Sequence, residues 1–378
     1  MKNSSKKIKV CILTSAHRVF DDRIFYKEAK TLVKAGYDVT LIAQHNKNDI
    51  VDGIKIIHLP KPKNRTERFL KTDFLLFKKA LQQEADIYHF HDPELMPVGL
   101  FLKLLMKAKV IYDVHEDVPK QIFSKQWLPE IVRNPVSIFV NWFEKLISQK
   151  FDYIITSTPD IKNNFKQYNV VDIKNYPVIN TSSLIYKKFL PNKRNYILIY
   201  VGGLAKIRGI EEIIKSIEFI NPKYNIKLKL LGKFSDKEFE KVVKILDKKS
   251  KIEFLGWVLP QEVNKYLLDA DIGLVCLYPL RRFLTSFPVK MFEYMAAGLP
   301  VIASNFPLWK EIIEGNNCGI CVNPLDAKEI ARAIEYLIEH PEEAKKMGEN
   351  GRKAVLEKYN WENESKKLVE VYKILSLS

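Results

Sequence analysis

Short apolar runs alternate with longer segments of helical periodicity along most of the chain. The runs are rich in Val, Ile and Tyr, and this alternation is typical of parallel β-α-β units. In the first half it predicts strands at Ile8–Thr14, Asp38–Ala43, Ile54–Leu59, Ile87–His91, Val110–Val114 and Tyr153–Ser157. The helices predicted between these strands include Asp22–Ala35, Pro93–Met106 and Pro135–Lys150.

The pattern stops at residues 174–195 and then restarts. This stretch holds two prolines and a polar cluster with little periodicity, which favours a linker. After a strand at Tyr196–Val201 and a helix from near Gly209, further strands are predicted at Lys227–Leu231, Ile252–Leu255, Ile272–Leu277 and Pro300–Ala303. We therefore predict two Rossmann-like α/β domains facing each other across a cleft, residues 1–180 and 181–361, with a closing helix at 362–378 that packs back on the first.

The chain has 378 residues, more than one hydrophobic core usually serves, which agrees with two domains. Four cysteines are few for this length, and Cys318 and Cys321 lack the further ligands of a zinc site, so reduced thiols are the favoured interpretation. The apolar run Ile8–Leu13 is too short for a signal peptide, and no window reaches the length of a membrane span. These features predict a cytoplasmic protein.

The formal net charge of +16 at pH 7 predicts attraction to an anionic partner. The densest basic stretch is Lys55–Lys79, in which Phe69, Phe74 and Phe77 are spaced to share one face of a helix. One interpretation is an amphipathic basic helix resting on the anionic inner face of the cell membrane. The other is a helix whose apolar side packs against the core while its basic side faces solvent. No nucleic-acid-binding module accompanies the charge, so nucleic acid is not an expected partner.

Polar residues directly after predicted strands are candidates for function, because open parallel sheets bind ligands beyond the carboxyl ends of their strands. Three strand ends supply such residues: His17, Asp21 and Arg23 after the first, His89, His91 and Asp92 after the fourth, and His115 and Glu116 after the fifth. Taken together they predict one wall of a cleft, although a packed and hydrogen-bonded residue is a sufficient explanation of any single histidine.

In the second half, Gly202 and Gly203 join a strand to a helix and let an anion approach the backbone, while Arg208 adds a forked donor suited to phosphate. A simple tight turn explains this loop equally well. Further on, the segment 286–301 predicts a helix with Ser286 as N-cap and Gly298 as its C-terminal stop.

Lys290 and Glu293 lie three residues apart on the helix predicted from segment 286–301. Either they form a surface ion pair, or the lysine faces a diphosphate and the glutamate a ribose. The spacing of the two residues leaves both interpretations open.

The chain resembles glycosyltransferase family 4, whose members are retaining enzymes with the GT-B fold. Four segments match family motifs in the correct order: H-x3-D-x-R-I-F-x-K-E-A at 17–29, H-x-H-D-P-E-L at 89–95, Y-D-V-H-E at 112–116 and K-M-F-E-Y-M-A-A-G-L-P-V at 290–301. The loop 202–209 corresponds to the G-R-x4-K-G diphosphate loop of the family. The resemblance covers nearly the whole chain.

The resemblance implies transfer of a hexose from a nucleotide diphosphate sugar, with UDP favoured over GDP, to a glycan or lipid-linked acceptor, with no metal or other cofactor. It implies that His115 lies beside the transferred sugar, with Arg208 and Lys290 as diphosphate-binding cations and Glu293 as the ribose-binding carboxylate. By position, the acceptor-side wall corresponds to His17, Asp21, Arg23, His91, Asp92 and Glu116.

Two positions depart from the family pattern. Thr285 stands where the first glutamate of the E-x7-E motif is expected, and Gly203 stands where the loop arginine is expected. The second change would leave Lys290 as the replacement cation. These two departures make a GT-B protein that binds nucleotide sugars without turnover one alternative hypothesis. The other is a sugar-nucleotide epimerase on the same fold, which would need acidic pairs in the cleft and no acceptor site.

Overall fold

The computed structural model describes residues 7–115, 117–123, 128–179, 195–247 and 251–377. The chain divides into two compact units. Unit 1 comprises Met1–Asn175 and Trp361–Ser378, and unit 2 comprises Tyr176–Asn360. The sequence placed the first division at residue 180, where an undescribed stretch begins, and the second at residue 361.

Unit 1 is built on an eight-stranded sheet that is parallel except for one edge pair. Its strands β1 to β8 are Lys9–Arg18, Asp38–Gln44, Asp49–Val51, Ile54–Leu59, Ile87–Phe90, Lys109–Val114, Tyr153–Thr156 and Val170–Asp172. Their order across the sheet is β3-β4-β2-β1-β5-β6-β7-β8, with β3 antiparallel to β4. Strands β1, β5 and β6 are therefore neighbours whose carboxyl ends meet at one edge.

Within the described ranges of unit 1, six helical segments connect these strands. In chain order, α1 is Asp22–Ala29 continued by Lys30–Lys34, α2 is Arg65–Glu67 continued by Arg68–Thr72 and Asp73–Leu81, α3 is Pro93–Leu95 continued by Met96–Met106, α4 is Val118–Ile122, α5 is Glu130–Ser148 and α6 is Pro159–Asn163. Helices α2, α3 and α5 cover the same side of the sheet, because Leu76, Leu102 and Ile147 belong to one buried cluster.

Unit 2 contains a six-stranded, fully parallel sheet. Strands β9 to β14 are Asn195–Val201, Asn225–Leu231, Ile252–Gly256, Ile272–Val275, Val301–Ser304 and Gly319–Val322, in the order β11-β10-β9-β12-β13-β14. After a short 3-10 turn at Lys206–Arg208, helices α7 to α14 are Ile210–Phe219, Lys237–Leu246, Pro260–Asp269, Arg281–Leu284, Val289–Ala296, Pro307–Ile313, Ala327–Glu339 and Pro341–Glu357.

The last helix, α15 (Trp361–Leu377), belongs to unit 1 and packs beside α1. The indole Nε1 of Trp361 donates a hydrogen bond to Thr31 Oγ1 at 3.0 Å. The ring of Tyr372 lies 5.5 Å from that of Tyr37, in an edge-on arrangement. The two ends of the chain thus contribute to the same unit.

The fold class is confirmed as two α/β units with parallel sheets, and the differences from the sequence prediction are local. Strands β3, β8 and β14 were not predicted, because runs of three or four residues give no clear period. Helix α5 begins at Glu130, so Pro135 lies inside it and does not start it. The predicted helix at 22–35 begins with π-helical winding, since the amides of Phe25 and Tyr26 both donate to the Asp21 carbonyl oxygen.

A buried carboxyl group in α5 gives a pH-dependent stability. Glu144 Oε1 accepts a hydrogen bond from the Tyr112 hydroxyl at 2.8 Å, and burial raises the pKa of Glu144 from 4.5 to about 7. The folded protein therefore holds this proton more tightly than the unfolded chain does between these two values. The stability that comes from binding this proton is fully present below pH 4.5, and it is lost as the pH rises through about 7.

We expect Glu144→Gln to increase the free energy of unfolding at about pH 8 by up to roughly 3 kcal/mol, because an amide accepts the tyrosine hydrogen bond without carrying a charge. The gain should largely disappear at about pH 4.5. Urea unfolding at both pH values measures it. The control is Glu130→Gln on the same helix, where the side chain is 89 % exposed and no such pH dependence is expected. An equal change in both variants would contradict the prediction.

Candidate active-site residues

The carboxyl ends of β1, β5 and β6 bring buried ionisable side chains together in unit 1. Arg23 Nη2 lies 2.9 Å from Asp113 Oδ2, and its Nε lies 2.8 Å from Glu28 Oε1. The Nη1 group donates to the carbonyl oxygen of Ile173 at 2.7 Å. All three charged side chains are buried, so one cation faces two carboxyl groups away from solvent.

The pKa values of the two carboxyl groups move in opposite directions. Burial would raise the pKa of Asp113, but attraction to Arg23 and His115 outweighs burial and holds it well below its usual range. Burial and repulsion from Asp113 raise the pKa of Glu28. The site therefore carries one buried ion pair, Arg23 with Asp113, beside a carboxyl group that favours its neutral form.

Three histidines surround this ion pair. His91 Nδ1 lies 2.9 Å from His115 Nε2, which in turn lies 3.2 Å from Asp113 Oδ1. His89 Nδ1 lies 2.8 Å from the Tyr372 hydroxyl on α15. Burial lowers the pKa of both His89 and His91, which favours their neutral imidazoles. Of the three, His115 has the accessible side chain, which is 20 % exposed.

The polar turn after β1 is held by two aspartates. Asp92 Oδ2 accepts hydrogen bonds from the amides of Ser15 and Ala16 at 2.6 and 3.1 Å. Asp21 caps α1 by accepting from the Arg23 amide at 2.9 Å, and its Oδ2 lies 3.2 Å from His17 Nδ1. Although burial opposes ionisation, hydrogen bonds from His17 and from the Ile24 amide lower the pKa of Asp21 to about 2. Both carboxylates therefore order the backbone beside the histidines.

Unit 1 thus assembles most of the residues that the sequence predicted for it: His17, Asp21, Arg23, His91, Asp92 and His115. Glu116 lies outside the described residues. Arg23, His91 and Asp92 are buried and bond within the unit, which makes them supports for the exposed His17 and His115.

Sequence reasoning assigned no role to Glu28 or Asp113, although both stand within matched motifs, and it had no signal for Tyr372. The two carboxyl groups could have been considered from their place in those motifs. The tyrosine lies 283 positions from His89, so only the fold brings it to the site.

Four of these side chains also offer metal ligands. Ligand atoms of Glu28, His89, His91 and Asp113 lie within 4.8 Å of one another. The guanidinium of Arg23 already contacts both carboxyl groups, so a divalent cation among them would face a buried positive charge at close range. The arrangement favours the guanidinium as the cation of this cluster, and a metal-independent reaction stays a prediction.

In unit 2, the backbone of the turn after β9 favours glycine at position 202. Its φ is +127°, and a Cβ built there would lie 2.6 Å from Lys290 Nζ and 3.8 Å from Arg208 Nη1. Gly209, with a φ of +69°, ends the 3-10 turn that carries Arg208, and a Cβ there would lie 1.8 Å from the Cys276 carbonyl oxygen. The two glycines allow the loop to bring both cationic groups to one position.

Lys290 is the most unusual side chain of unit 2. It is 8 % exposed, and among the described residues no hydrogen-bond acceptor satisfies its Nζ, which lies 3.9 Å from the ring centroid of Tyr200. Burial, followed by repulsion from Arg208, lowers its pKa well below 10.5 despite attraction to Glu293. A buried ammonium group without an acceptor is costly, and an anion bound at this turn would relieve that cost.

Helix α11 begins at Val289, so the prediction that Ser286 is its N-cap is wrong. Pro288 occupies that position without a side-chain hydrogen bond, and Ser286 Oγ instead donates to the Phe283 carbonyl oxygen at 2.9 Å. The first amides of α11 therefore have no side-chain cap and keep the positive end of the helix dipole beside Lys290. Glu293 lies on the same helix, half-buried.

The donor-side residues predicted from the sequence share this region of unit 2: Gly202, Gly203, Arg208, Lys290 and Glu293. Gly203 and Thr285 are both exposed. Neither supplies the charged side chain expected from the family pattern.

Two family models match successive parts of the chain. The model described as "Glycosyltransferase Family 4" matches residues 23–180, and the one described as "Glycosyl transferases group 1" matches residues 183–354. The chain belongs to the family 4 glycosyltransferases. The resemblance recognised in the four sequence motifs is thereby confirmed, and the chain is an enzyme of the glycosyltransferase class.

This glycosyltransferase aligns with curated relatives at low identity. It is 30 % identical to an uncharacterized glycosyltransferase of Methanocaldococcus jannaschii over 47 % of this chain and 44 % of that protein. It is 22 % identical to the MMP alpha-(1->4)-mannosyltransferase of Mycolicibacterium hassiacum over 77 % of this chain and 71 % of that protein. The chain thus spans less than half of the first relative and about seven-tenths of the second.

Solved structures share the fold of this glycosyltransferase. The sucrose-phosphate synthase of Thermosynechococcus elongatus superposes with a TM-score of 0.77 at 21 % identity, covering 98 % of this chain and 100 % of that one. Anabaena HepE in complex with UDP-glucose gives 0.70 at 13 % identity, covering 97 % and 99 %. At such identities the likeness establishes the GT-B fold.

Proposed function

We propose that this glycosyltransferase transfers a hexose from a UDP-sugar to a glycan or lipid-linked acceptor in polysaccharide or glycoconjugate synthesis, with retention of configuration and without a metal ion. The observation that carries the proposal is the buried Nζ of Lys290, which borders Gly202 together with Arg208 and has no hydrogen-bond acceptor among the described residues. A diphosphate supplies the missing negative charge.

The choice of UDP is supported by HepE, which has the same fold and was crystallised with UDP-glucose. The choice of a hexose is supported by the mannosyltransferase of Mycolicibacterium hassiacum. GDP-sugars are the second donor class to test. Retention of configuration and the polymer-forming role rest on the family to which the chain belongs.

The proposed reaction places charge on the diphosphate. The bond between the anomeric carbon and the phosphate oxygen breaks, the acceptor oxygen forms the new glycosidic bond, and the acceptor proton passes to a diphosphate oxygen. Negative charge grows on the leaving group, where Arg208, Lys290 and the uncapped N-terminal end of α11 stabilise it. Each charge-assisted hydrogen bond contributes roughly 1.5–3 kcal/mol, so these groups supply the positive charge that a metal ion supplies in other enzymes.

For His115 we propose contact with the transferred sugar. Its Nε2 atom lies between His91 Nδ1 and Asp113 Oδ1, so the orientation of the ring is fixed from the buried side. Asp113 is in turn held by Arg23. The buried residues therefore act as positioning residues for one accessible imidazole.

The test is a screen of nucleotide diphosphate sugars by thermal shift, followed by incubation with labelled donor. A bound donor stabilises the folded state by about 2.7 kcal/mol at one hundred times its Kd, so UDP-sugars should raise the Tm more than GDP-sugars do. Labelled sugar should then appear in an acceptor, or as hydrolysed sugar, at the same rate with and without EDTA.

Other outcomes would support other functions for this protein. An epimerised nucleotide sugar would support an epimerase, and tight binding without turnover would support an inactive nucleotide-sugar-binding protein. Loss of turnover in EDTA that added Mg²⁺ restores would refute the metal-independent reaction. The anomeric configuration of the product, read by NMR, decides retention.

A further inference from the structure

Helix α5 buries three polar side chains and carries a row of apolar side chains towards solvent. Its buried residues are Ser137, Glu144, Ile147 and Ser148, whereas its most exposed residues include six large apolar ones. That row is Ile131, Ile138, Phe139, Trp142, Phe143 and Leu146. From Ile138 onward each side chain has another of the row three or four residues away, so these five share one face, and Ile131 lies two turns before Ile138. Ile131 is 90 % exposed and Trp142 57 %. This is the reverse of the arrangement expected for a helix on the surface of a soluble domain.

Two neighbouring helices extend the apolar row. On α3 the exposed apolar side chains are Phe101, Leu104 and Leu105, and on α2 they are Phe69, Leu70 and Phe74. The three helices cover the same side of the sheet, and the rings of Phe77 on α2 and Phe101 on α3 lie 6.2 Å apart. We call these exposed side chains of α2, α3 and α5 the apolar face. Scattered exposed apolar residues are ordinary, but a group of this size on packed helices marks an interaction surface.

The charges beside the apolar face are cationic. Between residues 61 and 81 the exposed charged side chains are Lys61, Lys63, Arg65, Lys71 and Lys78, while the acidic residues there, Glu67 and Asp73, are half-buried and buried. Lys78 Nζ lies 4.6 Å from the ring centroid of Phe74. Of the three phenylalanines that the sequence placed on one face, Phe69 and Phe74 point to solvent and Phe77 is half-buried against the core.

We propose that the apolar face docks unit 1 onto an anionic membrane surface. Aromatic and aliphatic side chains enter the boundary between headgroups and acyl chains, and the adjacent lysines and Arg65 pair with anionic headgroups. No described helix is long and apolar enough to cross a bilayer. A second copy of the chain fits this face less well, because a symmetric pair would bring two cationic borders together. The proposal concerns this surface alone and is independent of the donor and the reaction.

Vesicle flotation tests the proposal directly. The full chain should bind vesicles with about 30 mol % phosphatidylglycerol at least about tenfold more than vesicles of phosphatidylcholine alone, and about 0.5 M NaCl should weaken the binding. Brominated lipid should quench tryptophan fluorescence. Trp142→Phe should remove most of that quenching, whereas Trp257→Phe, which changes an exposed tryptophan of unit 2, should leave it intact.

Two pairs of matched variants separate the apolar and the charged contributions. Phe139→Ser with Trp142→Ser should lower vesicle binding at least about tenfold, while Val242→Ser with Ile245→Ser, exposed residues equally spaced on α8, should not change it. Lys71→Glu with Lys78→Glu should lower binding similarly. Lys346→Glu with Lys353→Glu, which makes the same change in net charge on exposed positions of α14, should leave most of it.

Several outcomes would overturn the proposal. Equal losses in the test and control pairs would mean that net charge alone attracts the protein. A dimer by light scattering that becomes monomeric in the Phe139 and Trp142 variant, without vesicle binding, would assign the face to a second copy. A monomer that does not bind vesicles would indicate that the apolar face binds another protein. Thermal shifts with UDP-sugars should be unchanged in all variants, so failure of the docking proposal and failure of the proposed reaction are distinguishable.

Discussion

Replacing Lys290 by methionine is expected to lower donor turnover at least about tenfold and, at the same time, to stabilise the folded protein. Turnover falls because the leaving diphosphate loses one of the two cationic groups that border Gly202. Stability rises because methionine fills a similar volume without burying an ammonium group. The release of nucleotide diphosphate measures the first effect, and urea unfolding measures the second.

The stability gain should depend on pH. Burial lowers the pKa of Lys290 below 10.5, so the unfolded chain binds this proton more tightly than the folded protein does. The stability of the unsubstituted protein therefore rises with pH between the folded and the unfolded pKa. The advantage of the methionine variant should be largest below the folded pKa and should shrink as the pH approaches 10.5.

Lys310→Met is the matched control for Lys290→Met, because Lys310 is about half exposed on α12 of the same unit. It should leave both turnover and stability nearly unchanged. Arg208→Ala should reproduce the loss of turnover. Wild-type turnover in both the Lys290 and the Arg208 variants would show that the diphosphate does not bind at this turn. It would therefore refute the proposed reaction.

Replacing Asp113 by alanine is expected to lower the free energy of unfolding by about 3–5 kcal/mol. The change leaves the guanidinium of Arg23 buried without its ionised partner, because the pKa of the remaining carboxyl group, Glu28, is raised. It also removes the oxygen that lies 3.2 Å from His115 Nε2. Urea unfolding followed by circular dichroism measures the effect. Asp160→Ala, which removes an ion pair with Lys120 that is about 40 % exposed, should change the same quantity by less than about 1 kcal/mol.

A double-mutant cycle separates the ion pair from the packing around it. Arg23→Leu alone leaves Asp113 buried without the arginine, and Asp113→Leu alone leaves Arg23 buried without the aspartate. The double variant should be less destabilised than the sum of the two single variants, because it leaves neither charge unpaired. Additive effects would show that the two side chains do not stabilise each other.

The sequence predicted features formed by residues close together in the chain better than contacts between residues far apart in it. The central strands β1, β5, β6 and β9 were predicted because buried parallel strands contain short continuous apolar runs, here rich in Val, Ile and aromatic residues. Gly202, Arg208 and Lys290 were predicted as a group because the matched motifs place them after a strand and at the start of a helix.

The buried group in unit 1 was harder to foresee. Arg23 and Asp113 are 90 positions apart, and nothing in the local pattern of either residue indicates that they pair. The π-helical start of α1 also escaped prediction, since an apolar period of 3.6 residues and a wider turn look alike over one turn. The apolar face of α5 gave a normal amphipathic signal. The sequence alone does not say which side of such a helix faces the core.

Helix α15 lies at the end of the chain but completes unit 1, where its Tyr372 hydroxyl meets His89. During synthesis, all of unit 2 leaves the ribosome before this helix does. Unit 2 therefore has a contiguous sequence from which to fold, while unit 1 lacks α15 until the chain has been synthesised through unit 2. A nascent chain that ends before Trp361 lacks the α15 residues that contact α1 and His89. We therefore expect late truncations to leave the N-terminal half incompletely packed and exposed to chaperones.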